Sequence, residues 1–199
     1  MTIPSDQKLD AKGLACPMPI VRTKKAMKEL GEGLVLEIEA TDAGSTSDLK
    51  AWAQSAGHQY LGTKEEQGVL RHYVRKAAST EQAAAEEGRH EAVAELDALR
   101  EKLNGGALLL DVREPAEYAF GHIPGAISIP LGELEQRRSE LDAESELYVI
   151  CRSGTRSDLA ARLLTEAGFR RVFNVVPGMN GWTGELEAID GKPVKEESR

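Results

Sequence analysis

The sequence predicts two α/β domains in one chain: an N-terminal two-layer β-α-β-α-β-β sandwich and a C-terminal open α/β domain built on a parallel sheet. Three observations favour this fold class. The chain has 199 residues, of which 41% are hydrophobic, and this is enough to bury a core in each of two domains. Residues 1–77 contain 11 Lys plus Arg against 10 Asp plus Glu, whereas residues 78–199 contain 14 against 23. Patterns typical of strands and helices alternate in both halves.

The first half shows two helical patterns set among strands. Ile20, Val21, Met27 and Leu30 follow a helical spacing that ends at Gly31, and apolar residues alternate with polar ones after it. A hairpin is expected around Gln67-Gly68. The predicted elements are strand 8–11, helix 20–30, strand 34–39, helix 45–56 and strands 58–63 and 69–74.

The second half contains short apolar runs of the kind buried in parallel sheets. The predicted elements are helix 90–103, strands 108–112 and 147–150, helix 157–167 and strand 172–176. Between the halves, residues 77–88 are small or polar and are expected to form a loose tether or a solvated helix. Ligand sites of open α/β sheets lie at the carboxyl ends of the strands, which is where Cys151 is expected.

Composition excludes several functional classes. The net charge of -8 argues against nucleic-acid binding, because phosphate contacts require clustered Lys and Arg. No stretch is long and apolar enough to span a bilayer, and residues 1–10 lack the features of a signal peptide; a cytoplasmic location without membrane partners is therefore expected. Two cysteines and four scattered histidines predict neither a disulfide framework nor a metal site. No dinucleotide or Walker loop is present, so no cofactor is expected.

Cys151 begins a loop that continues through Arg152, Ser153, Gly154, Thr155 and Arg156. A strand that enters such a glycine turn and leaves as a helix directs several backbone N–H groups, together with the positive end of the helix dipole, at the sulfur. With the two arginines nearby, these groups are expected to favour a nucleophilic thiolate. The alternative is a buried and inert cysteine at a strand end.

We call such a loop, in which backbone N–H groups and arginines surround an anion, an anion cradle. Two chemistries use an anion cradle of this kind. The loop resembles that of cysteine phosphatases, but those enzymes place five residues between the cysteine and the phosphate-binding arginine, whereas Cys151 and Arg156 enclose four. The shorter loop encloses a smaller space, which suits a persulfide sulfur better than a tetrahedral phosphate, so sulfur transfer is favoured.

Asp111 and Arg113 follow another strand, where they either face the site or pair with each other, and only a supporting role is expected. His122 is interpreted as a residue that orders a turn.

Cys16 precedes the first predicted helix in the segment Cys16-Pro17-Met18-Pro19. Pro17 and Pro19 suit the first turn, where N–H groups have no intrahelical partner, and they hold the helix start rigidly. The helix dipole is expected to lower the pKa of Cys16. Because Cys16 lacks a cradle of arginines and glycines, it is better suited to carrying a group and handing it over.

Two family resemblances rest on these motifs. Asp111-Val112-Arg113-Glu114-Pro115, Gly121-His122-Ile123-Pro124-Gly125, the Cys151 loop and Gly178-Met179-Asn180-Gly181-Trp182 resemble a single-domain rhodanese over residues 89–187. Residues 9–19, with Asp42, Asp48, Trp52 and Gly57-His58, resemble the TusA (SirA-like) sulfur carriers over residues 7–76. With the linker that composition places at 77–88, these matched ranges leave residues 188–199 as a C-terminal tail. The resemblances imply a persulfide on Cys151, held by the loop 152–156, and a carried persulfide on Cys16.

The expected function is a rhodanese-type sulfurtransferase that passes sulfane sulfur between Cys151 and Cys16. The expected partners are a small donor, either thiosulfate or a low-molecular-weight persulfide, and a thiol or protein acceptor. The sequence does not determine the direction of transfer, whether sulfur moves within one chain or between chains, or the oligomeric state. One alternative is a thiol redox or persulfide sensor without turnover; another, less favoured, is a cysteine phosphatase or arsenate reductase.

Overall fold

A computed structural model describes residues 2–79 and 89–194, and it divides the chain into two compact units, of which the first ends at Ser79. We call them the N-terminal unit and the C-terminal unit. Of the predicted linker 77–88, residues 80–88 lie outside the described residues. Ser79 still belongs to the N-terminal unit, because its backbone N–H donates to Glu32 Oε2 at 2.8 Å.

The N-terminal unit has the predicted β-α-β-α-β-β order. Its strands form one sheet in the order β1-β2-β4-β3, in which β1 runs parallel to β2 and the other pairs are antiparallel. Gln67 and Gly68 both have positive φ, 53° and 77°, and this conformation closes the predicted hairpin. The elements are β1 (Gln7–Asp10), α1 (Met18–Glu29), β2 (Val35–Ala40), α2 (Ser45–Ser55), β3 (Gln59–Glu66) and β4 (Val69–Arg75).

Both helices pack on the same face of this sheet. Leu36 and Ile38 of β2 are fully buried against apolar side chains of α1 and α2, as the alternating pattern predicts. Helix α2 therefore lies beside α1 and brings its first turn close to the start of α1.

His72 of β4 is a fully buried polar residue in this unit. Its Nε2 lies 2.9 Å from Ser45 Oγ, and its Nδ1 lies 2.8 Å from Tyr60 Oη and 3.0 Å from Thr63 Oγ1. Burial lowers the pKa of His72 to about 4, because a charged imidazole would lose its hydration there. The folded N-terminal unit therefore holds the imidazole of His72 in its neutral form.

The C-terminal unit is an open parallel α/β domain. Its sheet has the order β5-β9-β8-β6-β7, and all the paired strands run parallel. The elements are β5 (Val93–Glu95), α3 (Leu96–Asn104), β6 (Leu108–Asp111), α4 (Pro115–Phe120), β7 (Ile127–Ser128), α5 (Leu134–Arg137), β8 (Leu147–Ile150), α6 (Thr155–Glu166) and β9 (Val172–Val176).

Helices cover both faces of this sheet. On one face, Leu147 and Val149 of β8 pack against Leu164 of α6. On the other face, Tyr148 and Ile150 pack in a cluster that includes Leu99 of α3. Burial on both faces explains why β8 reads as a continuous apolar run rather than an alternating one.

The predicted helix 90–103 is wrong in its first part. Val93–Glu95 form the edge strand β5, which pairs in parallel with Asn174–Val176, and the helix begins only at Leu96. The helical spacing of Val93 is coincidental, since the side chain is half exposed. Pairing with β9 supplies backbone hydrogen bonds that local propensity does not reveal.

Residues 188–194, which the sequence assigned to a tail, are hydrogen bonded to the C-terminal unit. Ile189 N donates to Ala119 O at 3.0 Å, and Val194 N donates to Leu186 O at 2.9 Å.

Within the described ranges, no helix has both the length and the apolar character needed to cross a bilayer.

We expect the N-terminal unit to lose stability as the pH falls from about 6.5 to about 4, because the unfolded chain binds a proton at His72 that the folded chain resists. The pKa difference, from 6.5 to about 4, corresponds to roughly 3 kcal/mol. Urea unfolding of a Trp182→Phe variant, followed by the fluorescence of Trp52, measures this unit in the full chain. Adding His72→Asn to this variant should make the urea midpoint depend less on pH. A midpoint that stays constant between pH 7 and 5 while His72 is present would contradict a stabilising role of the neutral imidazole.

Candidate functional site

Cys151 is the residue immediately after β8, at the carboxyl edge of the parallel sheet, as the sequence predicts. Its side chain is fully buried, and helix α6 starts four residues later at Thr155. Gly154 precedes the helix with a φ of 95°, a conformation that L side chains adopt only with strain. The chain therefore folds back over the sulfur.

Two donors point at the sulfur of Cys151. Gly154 N donates to Sγ at 3.2 Å, and the Ser157 hydroxyl lies 3.3 Å from Sγ. The same hydroxyl lies 2.7 Å from Asn174 Oδ1, so its single proton has two alternative acceptors. Both donors act near the N-terminus of α6, where the helix dipole favours negative charge.

Ser157 and Asn174 were not predicted as site residues. Asn174 Nδ2 donates to Gly154 O at 3.1 Å, so this buried amide ties β9 to the turn of the Cys151 loop. A signal was available in the sequence, since Asn174 is the polar member of the apolar run 172–176.

Arg156 points into a buried ion pair. Its Nη1 and Nη2 donate to Glu117 Oε2 and Oε1 at 2.7 and 3.0 Å, and both side chains are at most 5% exposed. The positive charge that we expected Arg156 to contribute to the cradle is thus balanced by Glu117. Sequence reasoning missed Glu117, although its capping-box spacing from Glu114 marks the start of a helix.

Asp111 and Arg113 pair with each other, one of the two outcomes left open by the sequence. Arg113 Nε lies 2.9 Å from both Asp111 oxygens, and Nη2 donates to Asp111 Oδ2 at 2.6 Å. Arg113 also donates to Gly121 O at 2.8 Å, so the pair holds the segment that contains His122. Burial lowers the pKa of Arg113, but Asp111 and, to a smaller extent, Glu117 oppose this, and the net pKa is raised.

The other loop residues form the rim of the site. Arg152 and Ser153 are exposed, and Thr155 is half-buried. Ser153 Oγ lies 3.3 Å from Thr155 Oγ1. Within the loop, Arg152 therefore provides a guanidinium at the surface.

Cys16 lies before α1 in the N-terminal unit and is exposed. Pro17 occupies the N-cap position of α1, and Pro19 lies in its first turn, as expected. Cys16 Sγ lies 3.3 Å from Asp48 Oδ2, on the first turn of α2. Sequence reasoning did not assign Asp48 to this site, because residues 32 positions apart meet only through the packing of the two helices.

The expected lowering of the Cys16 pKa is wrong. Its pKa is raised, first by the hydrogen bond to Asp48, then by partial desolvation and by the charges of Asp48 and Asp42. A carboxylate that accepts the S–H proton stabilises the thiol form. The dipole of α1 acts in the opposite direction at this position.

Over the described residues, no group of three or more His, Cys, Asp or Glu side chains is arranged to hold a metal ion.

Comparisons with known proteins identify the family of each unit. The sequence matches the family "Sulfurtransferase TusA" over residues 7–76 and the "Rhodanese-like domain" over residues 93–185. It is 54% identical to the Bacillus subtilis protein named "Putative sulfur carrier protein YrkF", over 90% of this chain and 96% of that protein.

Shorter relatives match one unit each. The sulfur carrier protein TusA of Allochromatium vinosum is 43% identical over 36% of this chain and 95% of its own length. The human single-domain sulfurtransferase TSTD1, a solved structure, is 30% identical over 47% of this chain and 96% of its own, with a TM-score of 0.44. From the two domain matches and the relative that spans both units, the chain belongs to the sulfur-carrier and sulfurtransferase proteins in which a TusA domain is followed by a rhodanese-like domain.

Proposed function

We propose that the chain is a persulfide relay, in which Cys151 takes sulfane sulfur from a donor and exchanges it with Cys16 for delivery to a thiol or protein acceptor. The observation that supports this proposal best is the setting of Cys151. Its buried sulfur accepts hydrogen bonds at a helix start, and the surrounding groups stabilise negative charge.

With thiosulfate as the donor, the Cys151 thiolate attacks the sulfane sulfur and forms a new S–S bond. The S–S bond within thiosulfate breaks, and its electron pair leaves with sulfite. When an acceptor thiolate then attacks the outer sulfur of the persulfide, the electron pair returns to Cys151 Sγ. The Gly154 N–H and the Ser157 hydroxyl stabilise that thiolate in both steps.

Burial of Cys151 selects sulfur transfer over disulfide formation. The inner sulfur of the persulfide stays where Sγ is fully buried, so an acceptor thiolate reaches the outer sulfur instead. Attack there moves one sulfur atom and leaves the cysteine free for the next cycle.

Cys16 suits the role of the second thiol because it is exposed at the start of α1. Both cysteines belong to one chain, so transfer between them within the chain would proceed at an effective concentration on the order of millimolar if the connecting segment spans the two thiols. A thiol that protein acceptors can reach complements one that is enclosed.

Gly178 supports the loop from behind. It has a φ of 72°, and a Cβ at this position would lie 2.4 Å from Cys151 O. The short helix that begins there donates Met179 N to Cys151 O and Asn180 N to Arg152 O, both at 2.9 Å. This close approach of two backbones engages the Cys151 and Arg152 carbonyl groups on the side of the short helix, while the Gly154 N–H points at the sulfur.

The bidentate pair with Glu117 makes Arg156 a positioning residue in this proposal. Because the pair is buried and neutral overall, its contribution is to anchor the first turn of α6 on α4. The planar guanidinium fork matches a carboxylate in a way that an ammonium group does not.

The relay predicts different losses for the two cysteine variants. Cys151→Ser should reduce turnover of thiosulfate with cyanide at least ~100-fold, because a hydroxyl is not ionised at neutral pH. Cys16→Ser should keep that turnover, since cyanide reaches the Cys151 loop unaided, but it should lose delivery to protein acceptors. Intact mass with peptide mapping should find that Cys16 gains sulfur from thiosulfate much faster when Cys151 is present. Equal loading of Cys16 by thiosulfate in Cys151→Ser would show that the two units work in parallel.

Gly178→Ala should damage the site far more than Gly125→Ala. Both glycines have positive φ, 72° and 79°, but a Cβ on Gly125 meets no atom within 4 Å, whereas one on Gly178 meets the Cys151 backbone. We expect about 1 kcal/mol of destabilisation for Gly125→Ala, with near-normal turnover, because only the backbone conformation is strained. Gly178→Ala should lose more stability and at least ~10-fold in turnover. Equal turnover in the two variants would exclude backbone support at Gly178.

Arg156→Ala should destabilise the C-terminal unit by about 3 to 5 kcal/mol, because it removes the guanidinium that neutralises the buried Glu117 carboxylate. Urea unfolding of a Trp52→Phe variant, followed by Trp182 fluorescence, measures this change. A positioning role predicts that Arg156→Lys, which keeps the charge but loses the fork, has turnover closer to that of Arg156→Ala than to wild type. Near-normal turnover in Arg156→Lys would mean that charge alone suffices.

A further inference from the structure

The two thiols have opposite surroundings. Cys151 Sγ faces donors, a backbone N–H and a hydroxyl, whereas Cys16 Sγ faces an acceptor, the Asp48 carboxylate, at 3.3 Å. Donors attract an incoming anion, and a carboxylate repels it. The two sulfur atoms therefore favour reactants of different charge.

A second carboxylate strengthens the negative field at Cys16. Asp42 lies in the segment before α2, and its charge acts with that of Asp48 to raise the pKa of Cys16. The sulfur is exposed, so reagents in solution can reach it and the field rather than enclosure determines which of them react. Cys16 thus rests as a protonated thiol beside two negative charges.

We propose that Asp48 is a specificity-determining residue of Cys16: its carboxylate holds the thiol proton and repels small anionic sulfur donors, so that Cys16 is loaded from the Cys151 persulfide rather than directly from thiosulfate. This inference rests on the proposed relay and adds to it the reason why loading proceeds through Cys151.

The charges of the reactants explain the selectivity. Thiosulfate is a dianion, and its approach to Cys16 is opposed by both carboxylates. A persulfide of Cys151 that bears a proton on its outer sulfur is neutral, so it meets no such opposition. In that step Cys16 gives its proton to Asp48 and its sulfur bonds to the outer sulfur, which keeps its own proton. The S–S bond to Cys151 breaks, and the electron pair remains on Cys151 as a thiolate.

The first test measures the field at the sulfur with two alkylating reagents that share a leaving group and differ in charge. Iodoacetamide is neutral and iodoacetate is an anion, so the ratio of their rates at Cys16 does not depend on the fraction of thiolate. In full-length Cys151→Ser protein, Asp48→Asn should lower the ratio of iodoacetamide to iodoacetate rates roughly 5-fold, as expected for the loss of one charge near the sulfur. The pH profile with iodoacetamide should also move to lower pH.

Asp42→Asn is the matched control. Asp42 acts on Cys16 through its charge alone, whereas Asp48 acts through its charge and through a hydrogen bond to Cys16 Sγ. We expect a smaller change in the ratio than for Asp48→Asn, in the same direction. A change equal to or larger than that of Asp48→Asn would overturn the assignment of specificity to Asp48.

The second test is loading by thiosulfate, followed as a gain of one sulfur on the peptide that contains Cys16. In the Cys151→Ser background, Cys16 should load slowly, and Asp48→Asn should raise that rate at least ~5-fold. An unchanged alkylation ratio or an unchanged loading rate in Asp48→Asn overturns the proposal.

Failure of the relay gives a separate result. If Cys16 never gains sulfur in protein that retains Cys151, the proposed function fails, while the alkylation ratio still decides whether Asp48 controls access of anions. If Cys16 with Asp48 intact loads from thiosulfate as fast without Cys151 as with it, both the relay and the selectivity are wrong.

Discussion

The backbone hydrogen bonds of the Cys151 loop are the interactions on which the rest of the site depends. Met179 N and Asn180 N donate to the carbonyl groups of Cys151 and Arg152, and Gly178 allows the two backbones to touch. While these carbonyl groups are engaged on the side of the short helix, Gly154 N donates to the sulfur. Asn174 and the Glu117–Arg156 pair then fix the same turn from β9 and α4. Each contact restrains the loop, and together they orient dipoles toward the sulfur before any reactant arrives.

We propose a division of labour between the thiols, because Cys151 faces hydrogen-bond donors whereas Cys16 faces a carboxylate. Stabilising charge during reaction requires enclosure and donors, which Cys151 has. Presenting sulfur to a protein requires exposure, which Cys16 has, but an exposed persulfide is open to any small reagent. We propose that the carboxylate of Asp48, 3.3 Å from Cys16 Sγ, compensates for that exposure by electrostatic repulsion of anions rather than by burial. In our proposal the pair thus combines reactivity at one thiol with selectivity at the other, which a single cysteine with one environment cannot supply.

Local signals predicted those parts of the molecule that depend on neighbouring residues. The hairpin at Gln67-Gly68, the buried runs of β8 and β9 and the start of α1 at the prolines all follow from spacing within a few positions, and the structure has each of them. The edge strand Val93–Glu95 does not follow from spacing, because its pairing with β9 joins residues about eighty positions apart. An apolar residue on such a short edge strand fits a helical period equally well.

The sequence by itself determined the fold class, the two domain families and the cysteines with their loops, because these depend on periodicity and on contiguous motifs. Only the tertiary structure decided which charge each sulfur faces. Arg156 is near Cys151 in the chain, yet its charge is balanced by Glu117, 39 positions away. Cys16 begins a helix, yet Asp48 reverses the expected direction of its pKa shift. Coulombic interactions act over distances in space, and the spatial neighbours of a charge are chosen by packing between elements rather than by position in the chain.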